Sequence, residues 1–265
     1  LITTTLASVW TPFQKKSSCK KDFCLEGDWG FKGSVVGFSD YNNDRNVDLF
    51  VLEEDKKTLK LFKFDDKKFT ETANLKSFSD EVVNVVPCDF MFDGKTGVIV
   101  QTLLNGVYKT YPCTISGGSL DCASPIEMKS EATVFDVNGD NYLDLIAVSD
   151  NGTKVWINKG DKTFTEASEY NLPAITATFP ITIADMNGDC RADLIFVVEN
   201  GTTHDIQIYT ATTTGGGDYR KIGYSLARTV HTNTKITSIS VADVNRNGNI
   251  DLIWTSEGNH VNVLF

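Results

Sequence analysis

The stretch FDVNGDNYLDLIAV, residues 135–148, sets three aspartates and two asparagines within nine positions and then runs directly into apolar β-formers. Carboxylates ~4 Å apart repel by about 1 kcal/mol per pair even at the dielectric of water. A chain that keeps such a cluster at the mouth of a strand implies a compensating partner. The cluster also recurs. Aligned on the first aspartate, the copies begin at Asp40 (GFSDYNNDRNVDLFVL), Asp89 (VPCDFMFDGKTGVIV), Asp136, Asp185 (IADMNGDCRADLIFV) and Asp243 (VADVNRNGNIDLIWT), at spacings of 49, 47, 49 and 58 residues.

Each copy follows one grammar. A short apolar strand enters (SVVGFS in the first copy), a nine-residue acidic loop follows, and a β-rich strand leaves (DLFVL). A second turn, marked by Asn105-Gly106, Asn151-Gly152, Asn200-Gly201 or Gly258-Asn259, leads into an alternating third strand such as TKVWIN. Segments such as KKFTETA and KTFTEAS supply a fourth. Four antiparallel strands in about 48 residues make one propeller blade, and periods in this range signal repeat architectures. The predicted fold is all-β: a β-propeller of four-stranded antiparallel blades with ion-binding hairpin loops, a single domain over 1–265 to which 1–36 add N-terminal strands. A β-sandwich gives no reason for one loop to return at near-constant spacing. TTTGGGD, 212–218, reads as a flexible loop, since no helix or Lys-Ser/Thr follows to make it a phosphate cradle.

With the loop numbered from its first aspartate, alternate positions turn their side chains toward one interior point, as a hard cation with six to eight oxygen ligands requires. The predicted ligands of the first loop are Asp40, Asn42, Asp44 and Asp48; of the third, Asp136, Asn138, Asp140 and Asp144; of the fourth, Asp185, Asn187, Asp189 and Asp193. The fifth has Asp243, Asn245, Asn247 and Asp251 and is expected to bind more weakly. Position 7, where Asn46, Tyr142, Arg191 and Asn249 share no ligand chemistry, is expected to offer only its carbonyl, with the Arg191 guanidinium kept out of the interior. The second loop has Met91 at position 3 and Gly97 at position 9, and is expected to be empty. Glycine at position 4, Gly139 and Gly188, relieves the bend. Oxygen-only donors favour Ca2+ over Zn2+, and many fixed ligands favour it over Mg2+, giving three strong sites and one weaker. An EF-hand is excluded because nothing helical flanks the loop and no glutamate stands at position 12.

Composition narrows the class. With 41% hydrophobic residues the chain has ample core, and a net charge of -10 with a pI near 4.8 argues against a nucleic-acid partner. Four divalent ions would offset most of that acid excess. No apolar run approaches the ~18 residues of a membrane span, and LITTTLASVW lacks the features of a signal peptide, reading as a mature N-terminus. Six cysteines include two local pairs, Cys19 with Cys24 and Cys113 with Cys122, the latter across a Gly-Gly tip; Cys88 and Cys190 have no obvious mate. With the sequons at Asn151 and Asn200, these point to an extracellular or secretory-lumen glycoprotein. The sequons lie in the turn between second and third strands, so glycans are expected on the face away from the ions.

The DxNxDxxxDL loops followed by VWINKGDKTFTE resemble the FG-GAP (VCBS-type) repeats of integrin α-subunit propellers, over essentially all of residues 30–265. The resemblance implies a seven-bladed propeller on an extracellular or membrane-anchored protein, with calcium in the hairpin loops of one face. Five copies are visible here, and HVNVLF is the third strand of its blade. Either the chain is a fragment of a longer propeller, or TTTLASVW supplies an outer strand and closes a five-bladed ring.

Enzymatic signatures are thin: His204, His231 and His260 are isolated, and neither HExxH nor G-x-S-x-G occurs. The expected function is a non-enzymatic recognition or adhesion domain for a protein ligand. Alternatives are a sugar-binding lectin and a structural subunit of an extracellular or membrane-associated assembly. Tyr108, Trp156 and Tyr209 stand at equivalent places between blades; exposed, they would favour the lectin, but strand aromatics at such places read as core.

Overall fold

The computed structural model describes residues 31–65, 68–175, 181–215 and 218–265, none of them helical. They form five antiparallel sheets, each a meander in chain order. Sheet 1 holds β1 (Ser34–Ser39), β2 (Asp48–Leu52), β3 (Thr58–Asp65) and β4 (Lys68–Ser77). Sheet 2 holds β5 (Glu81–Cys88), β6 (Gly97–Leu104), β7 (Val107–Ser116), β8 (Ser119–Cys122) and β9 (Ile126–Met128). Sheet 3 holds β10 (Thr133–Phe135), β11 (Asp144–Ser149), β12 (Gly152–Asn158) and β13 (Phe164–Ala167). Sheet 4 holds β14 (Thr182–Ala184), β15 (Asp193–Asn200), β16 (Thr203–Gly215) and β17 (Asp218–His231), and sheet 5 holds β18 (Ile236–Ala242), β19 (Asp251–Ser256) and β20 (His260–Leu264).

The second strand of each sheet explains the stacking. Its side chains alternate between two faces, and in sheets 1 to 4 nearly all are buried, so the strand serves two interfaces at once. In β11, Leu145 and Ala147 pack toward sheet 2 while Ile146 packs toward sheet 4. In β15, Leu194 and Phe196 face sheet 3 while Ile195 and Val197 face sheet 5. Phe50 of β2 meets Val85, Val98 and Val100 of sheet 2. The core is therefore a series of four apolar joints, 1 to 2, 2 to 3, 3 to 4 and 4 to 5, an arrangement consistent with successive propeller blades. Among the described residues no core cluster links sheet 5 back to sheet 1.

Two features differ from the sequence expectation. The fourth strand of sheet 2 is split into β8 and β9, which pair with successive parts of β7. Gly117 and Gly118, at φ of 57° and 79°, turn the chain so tightly that β8 spans only the end of β7. Cys113 and Cys122 are direct partners there and form a disulfide. The segment 212–218 is likewise not a loop along its length: Thr212 and Thr213 pair with Gly223 and Ile222, and Gly215 pairs with Asp218. This longer hairpin accounts for the wider spacing before the fifth copy. The Cys19–Cys24 pair and the TTTLASVW strand lie outside the described residues. Cys88 and Cys190 are free thiols, and no helix among the described residues is long and apolar enough to cross a membrane.

Candidate functional site

All five acidic loops connect the first and second strands of their sheets and so emerge at one end of the stack. Their backbones are alike. Position 4 has positive φ in every copy: Asn43 (58°), Phe92 (51°), Gly139 (83°), Gly188 (75°) and Arg246 (62°). So does position 6, which the sequence did not reveal: Arg45 (69°), Gly94 (76°), Asn141 (72°), Cys190 (64°) and Gly248 (87°). The two left-handed residues fold the loop inward and aim its amides at the first aspartate. Its Oδ1 accepts the N–H of position 5 and its Oδ2 that of position 6: 3.2 and 2.8 Å for Asp136, 3.0 and 2.7 Å for Asp40, 3.1 and 2.8 Å for Asp185, 3.1 and 2.9 Å for Asp243. Asp89 does the same in the second loop. The side-chain oxygens of Asn42, Asn138, Asn187 and Asn245 each accept the N–H of position 5. Those of Asp44, Asp140, Asp189 and Asn247 accept the N–H of Asn46, Tyr142, Arg191 and Asn249.

Position 9 plays a second part. Asp48, Asp144, Asp193 and Asp251 are buried. Asp144 Oδ2 accepts the N–H of Val137 at 2.9 Å and Oδ1 that of Asn158 at 2.8 Å, tying the loop to the third strand. Asp48 bridges Tyr41 and Phe64, Asp193 bridges Met186 and Ala211, and Asp251 accepts from Val244. Burial, with the Asp140 and Asp136 carboxylates nearby, pushes the Asp144 carboxyl up to about 7. Burial likewise raises Asp48 and Asp193. Against its partial burial, the Asp185 carboxyl is by contrast held down by the loop amides.

The second loop keeps the fold without the ligands. A Cβ at Gly97 would stand 2.4 Å from the Phe90 ring, which fills the space where the other loops have an aspartate. Phe92, at position 4, is 67% exposed and left-handed, a conformation unfavourable for a bulky side chain that gains nothing from packing. Phe92→Gly should therefore raise stability by about 0.5–1 kcal/mol, read as a higher denaturant midpoint at unchanged slope. An unchanged or lower midpoint would show that the ring is held.

The loops are also stitched sideways. Thr96 Oγ1 donates to the Asp40 carbonyl and Asn43 Nδ2 to that of Gly94. Buried Asn158 donates through Nδ2 to the Phe90 carbonyl at 2.7 Å and the Leu143 carbonyl at 3.0 Å, joining loops 2 and 3. Tyr224 of β17 donates to the Val137 carbonyl at 3.3 Å.

Among the described residues no three His, Cys, Asp or Glu side chains gather into a metal cluster. The donor sets of loops 1, 3, 4 and 5 mix aspartate with asparagine, and every one of these side-chain oxygens is a potential ligand. Asp136, Asn138, Asp140 and Asp144 each retain at least one lone pair beyond the hydrogen bonds just given, so their donor chemistry is that of a hard-cation site, although the three carboxylates are not drawn together. The loops differ in surroundings. Asp136, Asn138 and Asp140 are half-buried, whereas the fifth loop is exposed from Asp243 to Asn249. Lys63 Nζ lies 2.9 Å from Asp44 Oδ2, and that hydrogen bond holds the Asp44 carboxyl down to about 2. The Arg191 guanidinium, expected to point away, lies 3.7 Å from Asp189 Oδ2.

Asn151, in the turn after β11, and Asn200, the last residue of β15, are exposed at the end of the stack opposite the acidic loops; Asn200 Nδ2 donates to Asp205. Trp156 and Tyr209 are buried and Tyr108 half-buried in the joints between sheets, so the inter-sheet aromatics are core.

Residues 136–196, spanning the third and fourth loops, match the family model FG-GAP_3, an FG-GAP-like repeat. No curated protein matches the chain. Among solved structures, a protein from Lactobacillus plantarum is 10% identical over 90% of this chain and 72% of its own, with a TM-score of 0.51, a likeness of fold alone. An Agrocybe aegerita lectin that recognises non-reducing terminal N-acetylglucosamine is 15% identical over 85% of this chain and 78% of its own, with a TM-score of 0.46. The Photorhabdus luminescens Tc holotoxin pore matches 82% of this chain with 12% of its own, at 15% identity and a TM-score of 0.29.

Proposed function

We propose that this chain is a non-enzymatic recognition domain of the FG-GAP propeller type, in which Ca2+ held by loops 1, 3, 4 and 5 stiffens one end of the stack. The protein-binding surface then lies on the remaining loops. The observation that carries this reading is the repetition of one loop backbone in all five sheets, with oxygen donors at the same four positions in four of them. When bound, calcium would neutralise the position 9 carboxylates that burial makes costly to charge. The chain's own contribution is the pair of left-handed residues that brings the donors to one side, and the position 9 aspartate that fixes the loop to its sheet.

The placement is extracellular or in the secretory lumen, with glycans on Asn151 and Asn200 away from the ions; the Cys113–Cys122 disulfide supports it. The order of copies, a complete loop first and a degenerate one second, is similar to that in the ectodomain of T-cell immunomodulatory protein, which supports a cell-surface setting.

The test is a melting curve with and without chelator. At a tenfold excess of calcium over its Kd, one site adds about 1.4 kcal/mol, visible as a rise in Tm that EGTA reverses. Asp140→Ala and Asp189→Ala should each shrink that difference. Curves that coincide in calcium and EGTA for the unaltered protein would remove the metal from this reading.

A further inference from the structure

We infer that Lys63 and Arg191 are resident counter-cations of loops 1 and 4, so that the loops form a graded series in which loop 3 is the tight calcium site. This rests on the calcium reading above and deepens it. The deciding position is the fifth, central in the loop, occupied by Asp44, Asp93, Asp140, Asp189 and Asn247. Asp44 is paired with Lys63 at 2.9 Å, Asp93 with Lys95 at 3.8 Å, and Asp189 with Arg191 at 3.7 Å. Asp140 Oδ2 is met only by the uncharged Asn138 amide at 2.9 Å, and no ion pair to Asp140 occurs among the described residues. Asn247 brings no charge to counter.

The basic groups come from two unrelated places, so they are not part of the repeat. Lys95 and Arg191 stand at position 7 of their own loops. Lys63 reaches in from β3, one residue beyond the Leu49–Phe62 pair. The matching pairs Leu145–Trp156, Leu194–Tyr209 and Leu252–Leu264 place Ile157, Thr210 and Phe265 at the same point of the other sheets. Sheet 1 alone in this series has a cation there. The Lys63 ammonium, at 2.9 Å, occupies a lone pair of Asp44 and opposes an incoming divalent ion; the Arg191 guanidinium, at 3.7 Å from Asp189, opposes it by charge alone. Among the described residues loop 3 meets neither obstacle, and its half-buried donors act in a lower dielectric than those of loops 4 and 5.

The experiment is a calcium titration of the whole chain by calorimetry, with Tm in EDTA as a second readout. The unaltered protein should show one tight equivalent separated from weaker ones by about tenfold in Kd, the scale of removing one like charge from near a divalent ion. Asp140→Asn should abolish the tight class. Lys63→Met and Arg191→Met should each move one equivalent into it, while Lys63→Arg, which keeps the charge, should not. In EDTA, Lys63→Met should lower Tm at low salt and not at high salt, a result independent of any metal. Equal affinities in the unaltered protein with Lys63→Met unchanged would overturn the ranking and leave the calcium reading standing. No calcium bound by the unaltered protein or by Lys63→Met would overturn both.

Discussion

Asp144→Ala should destabilise the protein by about 3–5 kcal/mol and lower its melting temperature by roughly 10 °C. The carboxylate is buried and accepts from two amides, those of Val137 and Asn158, which no water can reach to replace it. Each stranded N–H costs about 1–3 kcal/mol. The measurement is a thermal or urea melt in EDTA, so that any metal is out of account. Asp140→Ala in the same conditions should cost far less, because its bonds lie within a half-buried loop and not between loop and sheet. Equal losses from the two would show that position 9 is no clamp.

Replacing Asn158 should come close in size and separate charge from shape. Its amide nitrogen donates to two carbonyls in neighbouring loops, and its side-chain oxygen accepts the N–H of Gly160. Asn158→Ala loses all three bonds, about 3 kcal/mol in total for a buried group. Asn158→Asp keeps the acceptor but turns a donor toward two carbonyl oxygens into a second acceptor. It should be worse than alanine, an inversion of the usual conservative ranking, and urea midpoints of the two variants decide it. If aspartate were the milder change, the junction between loops 2 and 3 would not depend on that donor.

Much of this arrangement was legible in the sequence because repetition made it so. Five copies of one loop gave the strand order, the hairpin turns and the end of the stack where the acidic side chains collect. The Cys113–Cys122 pair was readable from a Gly-Gly tip between cysteines nine apart. What was not legible depends on contacts between copies or on backbone angles that the side chain does not announce. Arg45 and Cys190 adopt left-handed φ like Gly94 and Gly248, yet nothing in their chemistry marks it. Asn158 reads as an ordinary strand end until Phe90 is placed beside it. Lys63 lies nineteen residues from Asp44 and belongs to a different strand, so only the folded hairpin shows that they meet. The split of β8 from β9 follows from a turn whose tightness was visible and whose consequence for pairing was not.

Because each apolar joint among the described residues involves only two successive sheets, the five sheets are coupled pairwise and not as one indivisible core. A defect in one joint is felt by its immediate neighbours and dies out beyond them. Exchanging one internal module for another should then demand matching surfaces on two sides only.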